Sequence, residues 1–382
     1  MTPGRAYYFA FDAAQPARLS RADALTAHRL PAWRQTEEMV TPQESDPRAR
    51  RATAQIFNSA VAASAIAAAW ELGALSELRG GGSLDAADFA ARHDLHKQST
   101  KGMFIALASV GVVQRDGDTV TTGPNFDEAY LAKPLFHWLA RGSSSLFAQM
   151  PNLLRNTNRV GDYYQRDMEA VGFASREANA TFFDPVFWSA MDRLEFVPEV
   201  VADLGSGSGK RLMQILERNP KARGIGIDIA QSALRMARTE AEKAGLDDRL
   251  EFVEADVCEL DARPELAEVE LVTCFMMGHD LWPMQRCVSI LRHLQTVFPR
   301  ARTLLIGDNV RSAGLPDDDI PVFTLAFELG HSLMDTYLPT GDEWQTAFVQ
   351  TGWTCAATHQ IGSLAGGVLF ELVREGTEMS EQ

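Results

Sequence analysis

The sequence predicts an α/β protein in two parts, a mainly helical amino-terminal region followed by a doubly wound sheet of parallel strands. Three observations carry this expectation. From about residue 196, short apolar runs alternate with helix-length segments, the pattern of strand-helix units whose strands lie side by side. Three of these runs, Val200-Val201-Ala202, Gly224-Ile225-Gly226-Ile227 and Leu250-Glu251-Phe252-Val253, lead into the acidic residues Asp203, Asp228 and, two residues further on, Asp256. Ahead of them, between about residues 50 and 122, helical segments lead into a hairpin.

Composition narrows the class. With 382 residues, 46% of them hydrophobic, the chain has material for two or three packed domains. A net charge of -15 argues against nucleic acid or an anionic membrane as partner, because scattered Lys and Arg must neutralise phosphates against the repulsion of the whole. A small-molecule substrate is expected. Cys258, Cys274, Cys287 and Cys355 form no CxxC, so reduced thiols and a cytoplasmic location are expected. Arg5, Asp12, Arg18 and Arg21 interrupt any signal-peptide core, and the longest apolar run, Ser59 to Trp70, is too short to span a bilayer.

In chain order, Pro3, Pro16, Pro31, Pro42 and Pro47 mark residues 1–48 as an extension. Residues 49–124 begin with an apolar helix from Arg50 to Leu78, bearing Ile56, Phe57, Val61, Ile66 and Trp70 and ended by Gly80-Gly81-Gly82. A capped short helix from Ser83 to Ala90 and another from Ser99 to Val110 follow, then a hairpin around Asp116-Gly117-Asp118. Three helices and a two-stranded wing make a winged-helix arrangement, in isolation a DNA-binding unit. The acidic balance speaks against that use. Residues 125–195 read as an aromatic-rich helical connector. Residues 196–376 hold the sheet, continued by strands at Leu271 to Met277 and Thr303 to Ile306 with a helix over 283–297 between them, and 377–382 form a tail. Ligands of such a sheet lie at the carboxyl ends of its strands.

The stretch Val200 to Gly209, VVADLGSGSG, turns on Gly205, Gly207 and Gly209, so backbone can approach a ligand closely. Asp228, about 20 residues on, is placed to accept from ribose hydroxyls, which makes a nucleoside pocket. Asp203 is placed to pair with the ammonium of a bound amino acid, and Asp256 to accept from an adenine amino group. A glycine-rich turn alone is shared with dinucleotide enzymes. The series D-L-G-x-G-x-G, G-I-D and E-A-D-V, over roughly residues 180–375, resembles the class I S-adenosylmethionine-dependent methyltransferases. That resemblance implies a Rossmann-like methyltransferase domain, S-adenosylmethionine as cofactor, and contacts from Asp203, Gly205, Gly207, Asp228, Ile229, Asp256 and Val257. The helical region resembles the dimerisation unit of the dimeric small-molecule O-methyltransferases, implying a homodimer with the Arg50 to Leu78 helix in the contact.

After the fourth strand comes Gly278-His279-Asp280-Leu281-Trp282. A structural histidine is the ordinary alternative, but here the chain resembles the O-methyltransferase motif in which a histidine-aspartate pair supplies the general base, with Leu281 inserted before the tryptophan. His331 lies 52 residues later (331 minus 279), on an expected helix over the same crevice. At this second histidine the chain resembles the 2-oxo acid C-methyltransferases of peptide-antibiotic biosynthesis, the phenylpyruvate type. That implies His279 and His331 as ligands of one metal ion, iron, with zinc or another transition metal as alternatives. Two histidines alone are not a specific metal signal. The same resemblance puts Trp138, Ser143 and Arg166 on the substrate as aromatic wall, hydroxyl contact and cation, and counts Arg166 with His279 and Asp280 among the catalytic groups. Asp280 is expected to orient His279 or a metal-bound water, or to take part in the proton transfer, and Asp335, four residues after His331, either to support it from the same helical face or to be a solvated carboxylate. Met276, Met277, Phe323 and Phe327 suggest an apolar substrate side chain. The expected reaction is methylation of C3 of a 2-oxo acid such as phenylpyruvate or 4-methyl-2-oxopentanoate, through a metal-stabilised enolate. The alternatives are a metal-free O-methyltransferase with His279 as base, and a catalytically idle regulator using its winged helix on DNA.

Overall fold

The alanine-rich segment after Pro47 forms one 25-residue helix, Pro47–Glu71, in a computed structural model that describes residues 46–374. The expected extension up to residue 45 and the tail 377–382 lie outside the described residues. The helix is longer than the apolar run Ser59 to Trp70. By length and composition alone it is long and apolar enough to cross a membrane. Its carboxyl-terminal half buries Ala62, Ala65, Ile66, Ala67 and Ala69, and Ile66 joins Leu75, Phe89, Phe104 and Leu107 in a small core.

Two expectations fail here. The helix breaks at Gly73, where φ of 83° needs a residue without a Cβ, and not at Gly80-Gly81-Gly82, of which the first two continue a second helix, Ala74–Gly81. Ser83-Leu84-Asp85 is no helix but a strand, β1 (Ser83–Asp85), beside β2 (Val113–Asp116) and β3 (Thr119–Thr122) in a three-stranded sheet ordered β1-β3-β2. The reason is the cap. Asp85 is extended, its carboxylate accepting from the N–H groups of Ala87 and Asp88, so the helix starts only at Ala86 and the residues before it pair with β3.

After a connector of short helices, two of whose turns widen to π geometry at Trp138–Gly142 and Asn179–Phe183, comes a seven-stranded sheet. Its strands are β4 (Val200–Leu204), β5 (Arg223–Asp228), β6 (Leu250–Glu254), β7 (Leu271–Phe275), β8 (Thr303–Asn309), β9 (Trp353–Gln360) and β10 (Gly367–Arg374), in the order β6-β5-β4-β7-β8-β10-β9. The first five are parallel, but β10 runs antiparallel to both neighbours, so the sheet is mixed. Both faces are covered: Ala202 and Leu204 of β4 pack into one apolar cluster with Trp344, Val201 into another with Phe275 and Leu305. Strand order reverses between β4 and β7, and the crevice at that switch point is where this topology binds ligands.

One close approach fixes the β7–β8 seam. A Cβ on Gly307 of β8 would stand 2.3 Å from the Phe275 ring of β7. Gly307→Ala is therefore expected to cost about 1–3 kcal/mol through overpacking. Urea unfolding measures it, and an unchanged midpoint would mean that Phe275 yields freely.

Candidate functional site

The glycine-rich turn after β4 takes left-handed φ at Gly205, Gly207 and Gly209. It is tied to the next strand through Asp228, which accepts from the Gly207 N–H (2.8 Å) with one oxygen and from Ala230 N–H (2.7 Å) with the other. Asp256 accepts from the Cys258 N–H at 2.8 Å and so shapes the loop after β6. Asp203 is buried, accepts from the Thr273 hydroxyl at 2.6 Å, and is pushed up to about 6 by burial, against the pull of Arg211 and of that hydroxyl. A cleft of about 1290 Å³ gathers Asp203, Gly205, Gly207, Asp228, Ile229, Asp256 and Val257 on its walls together with Asp280. All seven positions expected to hold the cofactor thus face one space.

Beyond β7 the chain makes one 3-10 turn, Gly278–Leu281. His279 Nδ1 donates to Asp308 Oδ1 (2.8 Å), and its backbone N–H donates to Asp308 Oδ2 (2.7 Å). Asp308, at the end of β8, therefore orients His279, which leaves Asp280, exposed on the cleft wall, with the other roles expected of it. Burial presses His279 down, yet the Asp308 charge and hydrogen bond outweigh it and leave the imidazole above its ordinary value. His331 sits on the helix Thr324–Leu333, where its Nδ1 donates to the Phe327 carbonyl (2.7 Å). Burial first, then the neighbouring His279, pushes it down to about 3, so it is neutral at ordinary pH. The two imidazoles meet at 4.8 Å between centroids, nearly perpendicular. In the neutral rings, with both Nδ1 atoms donating, each Nε2 carries its lone pair, and neither has a hydrogen-bond partner among the described residues. No group of three or more His, Cys, Asp or Glu poised around a metal occurs among the described residues.

Trp138 lies parallel to His331 (6.2 Å, 9°) and meets Phe323 edge-on, forming with Phe327 an aromatic wall beside the imidazole pair. Gly330 permits this, since a Cβ there would come within 3.1 Å of the Trp138 ring. Ser143 is wholly buried, its N–H donating to the Trp138 carbonyl and its hydroxyl without a partner. Arg166 has a buried Nε with no partner; burial weakens its hold on its proton, and its charge reaches Asp280, His279 and His331. Asp335 is elsewhere. The helix ends at Leu333, Asp335 takes φ of 63°, and its exposed carboxylate pairs with Arg159 at 3.2 Å, so it supports nothing at His331. Arg159 also donates to the carbonyls of Ser332 (3.1 Å) and Leu333 (3.4 Å), tying the segment that bears Arg166 to the end of the His331 helix. Asp308 and Arg159 were missed from sequence. Asp308 had a signal, being one more carboxylate at a strand end in Leu304-Leu305-Ile306-Gly307-Asp308.

Residues 201–298 match the family described as Methyltransferase domain. A methyltransferase of Aspergillus campestris, ungE', is 47% identical over 327 residues, 84% of this chain and 96% of its own length. The chain belongs to the class I S-adenosylmethionine-dependent methyltransferases. A second relative of this methyltransferase, the indolepyruvate C-methyltransferase of Streptomyces griseus, is 28% identical over 314 residues, 80% of this chain and 90% of its own. Among solved structures the mitomycin 7-O-methyltransferase superposes with a TM-score of 0.62 at 20% identity, covering 86% of this chain and 98% of that one. The likeness establishes a Rossmann-like methyltransferase fold with a helical amino-terminal region.

In the ligand-free methyltransferase Asp203 holds its proton more tightly than the value of 3.8 expected of an ordinary Asp. Its contribution to stability is complete below pH 3.8 and is lost as pH rises through about 6. Asp203→Asn should remove that part of the slope. Urea midpoints across this window, without cofactor, test it, and parallel profiles for the two proteins would refute the assignment.

Proposed function

We propose that this methyltransferase transfers a methyl group from S-adenosylmethionine to C3 of a 2-oxo acid with an aromatic or branched apolar side chain. The observation that carries the reading is Arg166, a half-buried guanidinium whose Nε is buried without a partner and whose charge reaches both imidazoles. A partly desolvated cation near the imidazole pair suits a carboxylate. In this reading Asp228 holds the ribose hydroxyls, Asp203 the ammonium and Asp256 the adenine amino group. Gly205 and Gly207 let the backbone approach, and Ile229 and Val257 flank the base. Arg166 takes the substrate carboxylate, the Ser143 hydroxyl a second oxygen, and Trp138 walls the side chain. The relative from Streptomyces griseus, named for C-methylation of indolepyruvate, supports the acceptor class.

His279 and His331 fit a metal through their Nε2 lone pairs, each imidazole being held from behind by Asp308 or the Phe327 carbonyl. An ion there, iron or else zinc or another transition metal, supplies Lewis acidity toward the keto oxygen. The protein's own part is to fix the two rings, exclude water with Trp138 and Phe327, and move the C3 proton by way of Asp280 on the cleft wall. We further propose a homodimer. The helix Pro47–Glu71 leaves Ile56 and Phe57 74% and 73% exposed, an apolar face suited to a second copy. On this view residues 49–124 dimerise, 125–195 close the pocket and 196–376 carry the chemistry.

A second reading, O-methylation with His279 as base, draws on the Asp308 contact, which makes that imidazole more basic. His331 separates the two. On the C-methylation reading His331→Ala loses bound metal by elemental analysis and loses solvent-deuterium exchange at C3 of phenylpyruvate without cofactor, while S-adenosylmethionine still binds. Normal metal content, exchange and turnover in that variant would leave only the O-methylation reading. Arg166→Ala should raise KM for the 2-oxo acid by about 10- to 100-fold, the scale of a lost charge-assisted hydrogen bond, with unchanged cofactor affinity. Steady-state kinetics with each substrate varied in turn decides it, and an unaltered KM would remove Arg166 from the carboxylate.

A further inference from the structure

S-adenosylmethionine carries an ammonium and a carboxylate on one carbon, so the group assigned to the ammonium leaves its neighbour unanswered. Arg211 stands in the first turn of the helix Lys210–Arg218, two residues past the glycine turn, and lines the same cleft as Asp203. Its side chain is only 8% exposed. Nη2 donates to Asn179 Oδ1 at 3.1 Å, while Nη1 lies 3.2 Å from Asp184 Oδ1 without hydrogen-bond geometry and is buried with no hydrogen-bond partner. The guanidinium plane rests 3.6 Å from the Phe275 ring centroid and 4.5 Å from that of Phe187, so it is held in place before any ligand arrives. Asp203 and Arg211 feel each other's charge, yet no direct ion pair joins them among the described residues.

We propose that Arg211 receives the carboxylate of the methionine half of S-adenosylmethionine, opposite Asp203, so that the pair recognises the amino-acid zwitterion. The other Lys and Arg residues on the cleft wall, Arg141, Arg176, Lys210, Arg235 and Arg286, are exposed, where water screens a carboxylate contact. Arg211 is buried and stacked, with Nη1 paired to Asp184 at 3.2 Å but out of hydrogen-bond geometry. A ligand carboxylate on the cleft side brings Nη1 an acceptor in line with its N–H.

The test changes the ligand before the protein. By titration calorimetry the wild type should bind decarboxylated S-adenosylmethionine at least about 10-fold more weakly than S-adenosylmethionine, the scale of one charge-assisted hydrogen bond. Arg211→Gln should bind the two with affinities within about threefold of each other, and its affinity for the decarboxylated ligand should match that of the wild type. Arg211→Lys, which keeps the charge without the fork, should fall between. Equal binding of both ligands by the wild type overturns the proposal even if no variant folds, and so does full discrimination retained by Arg211→Gln. No 2-oxo acid is present in these titrations, so the outcome is independent of the acceptor.

Discussion

A carboxylate with no access to water holds the reacting end of this fold together. Asp308 accepts three N–H groups, from the His279 backbone, the His279 imidazole and the Asn309 backbone, all between 2.7 and 2.8 Å. An isolated buried carboxylate is costly, several kcal/mol even after relaxation, and only donors packed this closely offset it. The turn after β7 must therefore come down onto the end of β8. Gly278 makes that descent possible, since a Cβ there would lie 2.8 Å from Asp308 Oδ2. His279 is then fixed against His331, His331 against Trp138, and the aromatic wall against both. Removing the carboxylate would release the whole sequence of contacts.

What was legible in the chain follows from how local each signal is. Strands β4 to β8 are short and mostly apolar, and the first three lead into acidic residues, so periodicity and punctuation were enough to bring Asp203, Asp228 and Asp256 onto one cleft. β9 alternates buried and exposed positions with Thr, Ala and His at the sheet edge, a pattern without the density that marked its neighbours, and it went unread together with β10. The helix break was put at three consecutive glycines because glycine weakens helices. The chain instead breaks at Gly73, the residue that takes left-handed φ between the two helices. Of the two readings of Asp335 the structure keeps the solvated carboxylate: spacing of four places two residues on one face only while the helix continues, and it stops at Leu333. Asp280 adjoins His279 in sequence and so attracted the orienting role, yet the residue that orients the ring lies 29 positions further on and reaches it only through strand pairing.

The site is also where the fold is least satisfied. Ser143 Oγ, Arg166 Nε and Arg211 Nη1 are buried without hydrogen-bond partners, and Asp203 is buried with its proton held tightly. Native folds keep such atoms few, because each forfeits about 1–3 kcal/mol of solvation. Asp203 and Arg211 line one cleft, so part of that lost solvation lies where a bound ligand can supply a partner. Binding then returns it in proportion to the logarithm of ligand concentration over Kd. Cofactor and substrate are in that sense part of the folded state.

The same scaffold serves O-methyltransferases at 20% identity, so the fold itself does not choose the acceptor atom. The choice rests on where negative charge develops. A phenol presents an acidic hydroxyl, and one imidazole made more basic by a carboxylate is an adequate base for it, which His279 and Asp308 already provide. A proton beside a ketone is far less acidic, and the charge released appears on the keto oxygen, away from the carbon that attacks. A site for that reaction needs an electrophile at the oxygen and a cation for the neighbouring carboxylate, and neither is of use to a phenol. Here the second imidazole is kept neutral by burial, turned by its own helix carbonyl so that Nε2 stays open, and sealed by Trp138 lying parallel to it. A buried, unprotonated second histidine with a half-buried arginine whose Nε has no partner is of little use to a hydroxyl acceptor, and that is the physical ground on which the proposed carbon acceptor rests.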